Sequence, residues 1–189
     1  MEPRGRAPPA SITLTRASSH RFLALLRAIS HVPMKPFRDA MEEMGFTSVE
    51  SYGMSGNLMF DAATNDTSTL ERQITQRFGT DAFIRTRAEI ARVVAHDPLD
   101  AIVMFLERPP TATMRRAFLG LDLEGPRPVL TGRTLYFSYP VLLRGRRTAL
   151  DVERTLGVKG TFRTSRVVAT LLARMSHGPR IVTGRSVSA

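Results

Sequence analysis

Two stretches of this chain carry the same succession of apolar patterns, and that repeat limits the fold more than any other feature. The first opens with Phe22-Leu-Ala-Leu-Leu-Arg-Ala-Ile29, a short apolar run bounded by polar residues, which suits a central strand buried on at least one face. After Pro33, Phe37, Met41 and Met44 recur at i, i+4, i+7; Pro36 suits a first helical turn and Gly45 a stop, so a helix is predicted. Strand-like runs at 47–52 and 58–61 flank Met-Ser-Gly-Asn, whose small residues suit a hairpin connection. Ser68 and Glu71 have the spacing of a capping box, ahead of Leu70, Ile74 and Phe78 on one helical face and Gly79 at the stop. A short strand at 82–85 closes a β-α-β-β-α-β unit over residues 21–86.

The pattern then restarts. Thr86 and Glu89 form another capping-box spacing, opening a connector helix within 87–98 that carries Ile90, Val93 and Val94 and stops before Asp97-Pro98. A buried strand at 101–106 leads to Pro109-Pro110-Thr111 and a helix with Met114, Ala117 and Phe118. Val129-Leu130 and a run at 135–139 flank Thr-Gly as a second hairpin, Ala149, Val152 and Leu156 precede Gly157 as a second helix, and 161–163 supply a last short strand. Val167, Val168, Leu171, Leu172 and Met175 make one more amphipathic helix, so 99–175 hold the second unit and a C-terminal helix. Residues 1–20 are expected to be a disordered leader and 176–189 a flexible tail. The fold class expected is α+β, two ferredoxin-like sandwiches in tandem, each an antiparallel sheet with helices on one face. The bare sheet faces need cover, either from packing the halves together or from the connector and last helices.

With no cysteine, the chain has no disulfide, thiol nucleophile or thiolate metal site. No apolar run approaches the roughly 18–20 residues of a spanning helix, and the first 20 lack a secretory h-region, so the cytoplasm is the expected compartment and no membrane partner is expected. The net charge of +10 is unevenly placed: residues 21–141 carry equal numbers of basic and acidic groups, while 142–189 carry ten basic against two acidic. Only Lys35 and Lys159 among the basic residues are lysine, a bias that base composition produces as readily as phosphate binding does.

Leu25-Leu26-Arg27-x-Ile29, Ser55-Gly56-Asn57-x-x-Phe60, Leu135-Tyr136-x-x-Tyr139-Pro140 and Leu156-Gly157-Val158, in that order, resemble the bacterial family called domain of unknown function 1697 over about residues 21–175. The resemblance implies a two-unit ferredoxin-like fold and no established activity. Members usually follow the first-strand arginine with Gly-Ile-Asn and carry Arg-Asn-Trp-Asn near the last helix. Here those places read Ala28-Ile29-Ser30 and Arg163-Thr164-Ser165-Arg166.

In a ferredoxin-like sheet the end of the first strand lies beside the start of the third, which brings Arg27 towards Ser55, Gly56 and Asn57. A guanidinium beside hydroxyl, amide and turn N–H donors can take phosphate or carboxylate, so these four are the candidate site for a small anionic ligand. The competing reading has Ser55 and Asn57 satisfying their own turn and Arg27 pairing with a local acid such as Glu50. Lys159, Arg163 and Arg166 support an alternative, nucleic-acid binding, because Gly157-Val-Lys-Gly160 is similar to the basic GxxG loop of KH modules. Phe22 and Phe60 stand where RNA-recognition motifs expose aromatics, but core positions are expected for both. His20, His31, His96 and His177 lack metal-ligand spacing, and no nucleophile elbow, phosphate loop or dinucleotide turn appears. The reading is therefore a binding or interaction protein, with no catalytic residue, cofactor or metal assigned and oligomeric state open.

Overall fold

In the computed structural model, which describes residues 19–96, 101–121, 127–138 and 149–176, the opening apolar run is strand β1 (His20–Leu26). Its unbroken apolar character has a direct cause: it is buried on both faces. Phe22, Ala24 and Leu26 point into one core, Leu23 and Leu25 into another. Each fully buried side chain of this size contributes on the order of 2 kcal/mol. The strand starts at His20, two residues before the expected Phe22, and ends three residues earlier than expected because Ala28 already has a φ of 57°.

The rest of the first half is α1 (Lys35–Glu43), β2 (Thr47–Ser51), β3 (Asn57–Ala62), α2 (Thr67–Phe78) and β4 (Ala82–Thr86). After α3 (Arg87–His96) the second half runs β5 (Ala101–Leu106), α4 (Ala112–Leu119), β6 (Val129–Thr131), β7 (Thr134–Ser138), α5 (Ala149–Leu156) and β8 (Gly160–Thr164), and α6 (Ser165–Met175) follows. The described residues thus form an α+β structure with two four-stranded antiparallel sheets and six helices. The sheet orders are β2-β3-β1-β4 and β6-β7-β5-β8, the same arrangement in each half. The expected leader before residue 19 and tail after 176 lie outside the described residues.

The anticipated helical faces are the ones buried, except that of the expected face of α4 only Phe118 is buried and Ala117 is exposed. Met41 of α1 with Leu70 and Ile74 of α2 cover one face of the first sheet, and Phe118, Val152 and Leu156 of α4 and α5 cover one face of the second. Phe22 and Phe60 are core residues, as expected. Both proposed covers operate on the opposite faces: one apolar cluster joins Leu23, Leu25, Met59 and Phe83 to Val103, Phe105 and Tyr136 of the other sheet, and takes in α3 and α6, which pack on each other.

Two local expectations change. The Ser68–Glu71 capping box does not form, because Asp66 is the cap of α2, its carboxylate accepting from Ser68 N at 3.0 Å and Thr69 N at 3.3 Å. Glu71 instead turns inward and accepts from Ile84 N at 2.8 Å. The second hairpin turns at Gly132-Arg133 rather than Thr131-Gly132, with glycine at the first central position and a φ of 55°. The Thr86–Glu89 box does form: Thr86 N donates to Glu89 Oε2 at 2.8 Å, and Glu89 N donates to Thr86 Oγ1 at 3.2 Å.

Candidate functional site

The register brings Arg27 to the place expected. Leu25 pairs with Asn57, and Leu26 N donates to Gly56 O at 2.8 Å, so the first-strand end lies beside the Ser55-Gly56-Asn57 turn. The Arg27 guanidinium nevertheless turns to the other half of the chain, donating to Glu153 through Nε at 3.1 Å and Nη2 at 2.8 Å. Asp81 stands 3.8 Å away on its other side and also accepts from Lys159 at 2.9 Å. The hydrogen bond to Glu153 raises the Arg27 pKa above its ordinary value. Glu50, named as its local partner, pairs with Arg21 instead. Asn57 does serve its own turn, donating to Tyr52 O at 3.0 Å.

The group that reaches Ser55 and Asn57 is Arg163. A candidate nucleic-acid contact by sequence, it is only 8% exposed. Alternation along β8 puts it on the face turned towards the first sheet, and all five of its N–H groups find acceptors there: Asn57 Oδ1, Thr161 Oγ1, and the carbonyls of Phe162, Leu26 and Ser55. Burial pushes its pKa down to about 10, so it stays cationic at neutral pH. With its donors spent inside the protein, Arg163 is turned away from any nucleic-acid backbone, and Lys159 is paired with Asp81. Arg166, on α6, has partners of its own within the chain.

Arg85 is the counterpart of Arg163, each being the fourth residue of the last strand of its half. It is 2% exposed, donates to Ile84 O at 2.9 Å and Leu106 O at 2.6 Å, and lies over the Phe105 ring at 5.6 Å. Glu71 is 3.7 Å away. Burial, then the charge of Arg133, lowers its pKa to about 10. Among the described residues the two carbonyls are its only hydrogen-bond acceptors, with Glu71 facing Nη1 as an ion pair.

Arg85 also lines a cleft of about 400 Å³ between α3 and the β6–β7 hairpin. Arg85, Glu89, Arg92, Val93 and His96 form one side, spaced as a single helical face continued from β4; Arg133, Thr134 and Tyr136 are on the other. Arg133 is held by Glu71 at 3.4 Å and Glu89 at 2.9 Å. Burial pushes Glu89 up, but the Thr86 and Arg133 hydrogen bonds outweigh it and leave its pKa lowered; in Glu71 burial prevails and the pKa is raised. Arg92 has its only hydrogen bond among the described residues to Ala88 O at 3.3 Å. His96 packs against Tyr136 with ring centroids 4.8 Å apart.

The cleft has a structural cause. Five residues, 52–56, link β2 to β3, and they carry the Ser55 carbonyl onto Arg163; two residues, 132 and 133, link β6 to β7. Asn57 reaches Arg163, while Thr134, at the corresponding register position, makes no such bond to Arg85. One arginine is enclosed by its hairpin and the other is left beside open space. Sequence reasoning named none of Arg85, Arg92 and Arg133, and weighed His96 only as a metal ligand. The available signal was the repeat, which aligns Phe-Ile-Arg-Thr at 83–86 with Thr-Phe-Arg-Thr at 161–164 and places an arginine on a core-facing position twice.

Among the described residues, no helix is long and apolar enough to cross a membrane, and no three histidine or carboxylate groups gather as a metal site. No curated protein matches the chain. A solved structure of a conserved bacterial protein from Streptococcus pneumoniae is similar in fold, with a TM-score of 0.66 at 17% identity, covering 85% of this chain and 100% of that one. Residues 20–136, which span the first half, α3 and the strands that build the cleft, match the family described as "Protein of unknown function (DUF1697)". The sequence motifs and the family match agree, and the chain belongs to the DUF1697 family.

Proposed function

We propose that this protein binds small anions without transforming them, and that the ligand sits in the cleft beside Arg85 rather than at the Arg27 turn. The observation that carries the reading is the inequality of the two equivalent arginines: Arg163 has an acceptor for every N–H, whereas Arg85 spends two on carbonyls and lines a ligand-sized cleft. Guanidiniums suit binding more than catalysis, since they hold their charge and neither accept nor release protons near neutral pH. A buried guanidinium also makes stronger charge-assisted hydrogen bonds than an exposed one. In the same reading each half is a ferredoxin-like unit, on the strength of its strand order, and the protein works in the cytoplasm.

Thermal unfolding in phosphate, sugar phosphates and carboxylates, each against chloride at equal ionic strength, tests the reading, because a ligand bound to the native state raises the midpoint. At least one anion is expected to raise it. The rise should shrink in Arg92→Ala and survive in Arg27→Gln. The reverse pattern would return the site to the Arg27 turn, and no rise with any anion would remove the anion-binding reading.

A further inference from the structure

We infer that the cleft takes a phosphate monoester carried on a flat aromatic ring, an inference that rests on the anion-binding reading and narrows it to a ligand class. Arg85, Arg92 and Arg133 outnumber the two carboxylates that face them, Glu89 in the lining and Glu71 against Arg85 and Arg133, so the cleft favours an anion with several oxygens for guanidinium donors. A phosphate monoester is close to a dianion above its second pKa of about 6 and offers three terminal oxygens to guanidinium donors.

The cleft is also polarised along α3. Glu89 lies near its start, Arg92 past its middle and His96 at its end, so the helical rise places Arg92 about 6 Å from His96 along the axis. The His96 end is aromatic: Tyr136 is 7% exposed, and the exposed His96 ring leans on it. A phosphate seated near Arg85 and Arg92 places an attached ring within reach of the His96 and Tyr136 pair, where offset or edge-to-face packing is favourable. A cleft of about 400 Å³ is in the small-molecule range, and bare phosphate would leave most of it to water.

Titration calorimetry on the whole chain at about pH 8, where the monoester is dianionic, compares phenyl phosphate, inorganic phosphate and benzoate. Phenyl phosphate is expected to bind about fivefold or more tighter than either. Arg92→Ala should weaken both phosphates about tenfold, while His96→Ala should erase the advantage of phenyl phosphate and leave inorganic phosphate unchanged. Benzoate binding as tightly as phenyl phosphate, inorganic phosphate doing so, or an advantage that survives His96→Ala would each overturn the ligand class while leaving anion binding in place. Silence from all three probes, with no anion in the thermal panel, would overturn both.

Discussion

Arg85 and Arg163 each cross from the last strand of one half to the end of the first strand of the other: Arg85 donates to Leu106 O at 2.6 Å, and Arg163 donates to Leu26 O at 3.3 Å. The two carbonyls are themselves equivalent, since Leu26 pairs with Ala82 and Leu106 with Gly160. The halves are thus clasped by a reciprocal pair of buried cations as well as by the apolar cluster between the sheets.

Their unequal hydrogen bonding orders two substitutions. Lysine has three donors in place of five, too few for the acceptors around Arg163 but enough for the two carbonyls of Arg85. Arg163→Lys is expected to cost about 3 kcal/mol and Arg85→Lys about 1 kcal/mol in urea unfolding. Equal losses would show that the geometry around the two is not what distinguishes them.

The Arg27 guanidinium meets Glu153 through two parallel bonds and Asp81 only at 3.8 Å. A double-mutant cycle of Arg27→Met with Glu153→Gln should give a coupling of about 1–2 kcal/mol, and the cycle with Asp81→Asn one near zero. Glu153→Gln keeps an oxygen for Gly160 N, which donates to Glu153 at 2.8 Å, so the cycle removes charge without emptying that bond.

Gly56 is required twice over. Its φ is +69°, and an added Cβ would lie 2.7 Å from Leu26 Cβ and 3.2 Å from Leu26 O. Gly56→Ala is expected to lose about 3 kcal/mol. Gly132, also left-handed but with nothing within 4 Å, should lose only about 1 kcal/mol as alanine. Chemical unfolding of the two variants side by side checks the difference.

Glu71 and Glu89 give pH dependences of opposite sign. Burial raises the Glu71 pKa, so the native state favours its neutral form: its contribution is full below the usual 4.5 and is lost as pH rises through the raised value. Glu89 is lowered, despite burial, by the Thr86 and Arg133 hydrogen bonds, so its contribution is full above 4.5 and is lost as pH falls. Relative to the native sequence, Glu71→Gln should gain stability as pH rises past 4.5 and Glu89→Gln should lose it. Urea midpoints followed from acid to neutral pH would refute this if both difference curves ran in one direction.

The element order was legible because each element writes its own period. The double-faced burial of β1 and β5 shows as unbroken apolar runs, and the faces of α1, α2 and α5 show as apolar residues three and four apart. Local competition was harder to see. Ser68 and Glu71 had the right spacing for a cap, but Asp66 lay two residues closer to the turn and Glu71 had a buried N–H to satisfy.

Sequence alone determined the doubled β-α-β-β-α-β order, the family, and the approach of the Arg27 segment to the Ser55-Gly56-Asn57 turn, because these follow from local period, turn chemistry and strand adjacency. Tertiary structure alone decided which arginine does what. Partners 126 and 106 residues apart, Arg27 with Glu153 and Asn57 with Arg163, meet only when the two sheets pack face to face. No local pattern encodes the three-residue difference in hairpin length as an open cleft, since that space exists only between a hairpin of one half and a helix that follows the other.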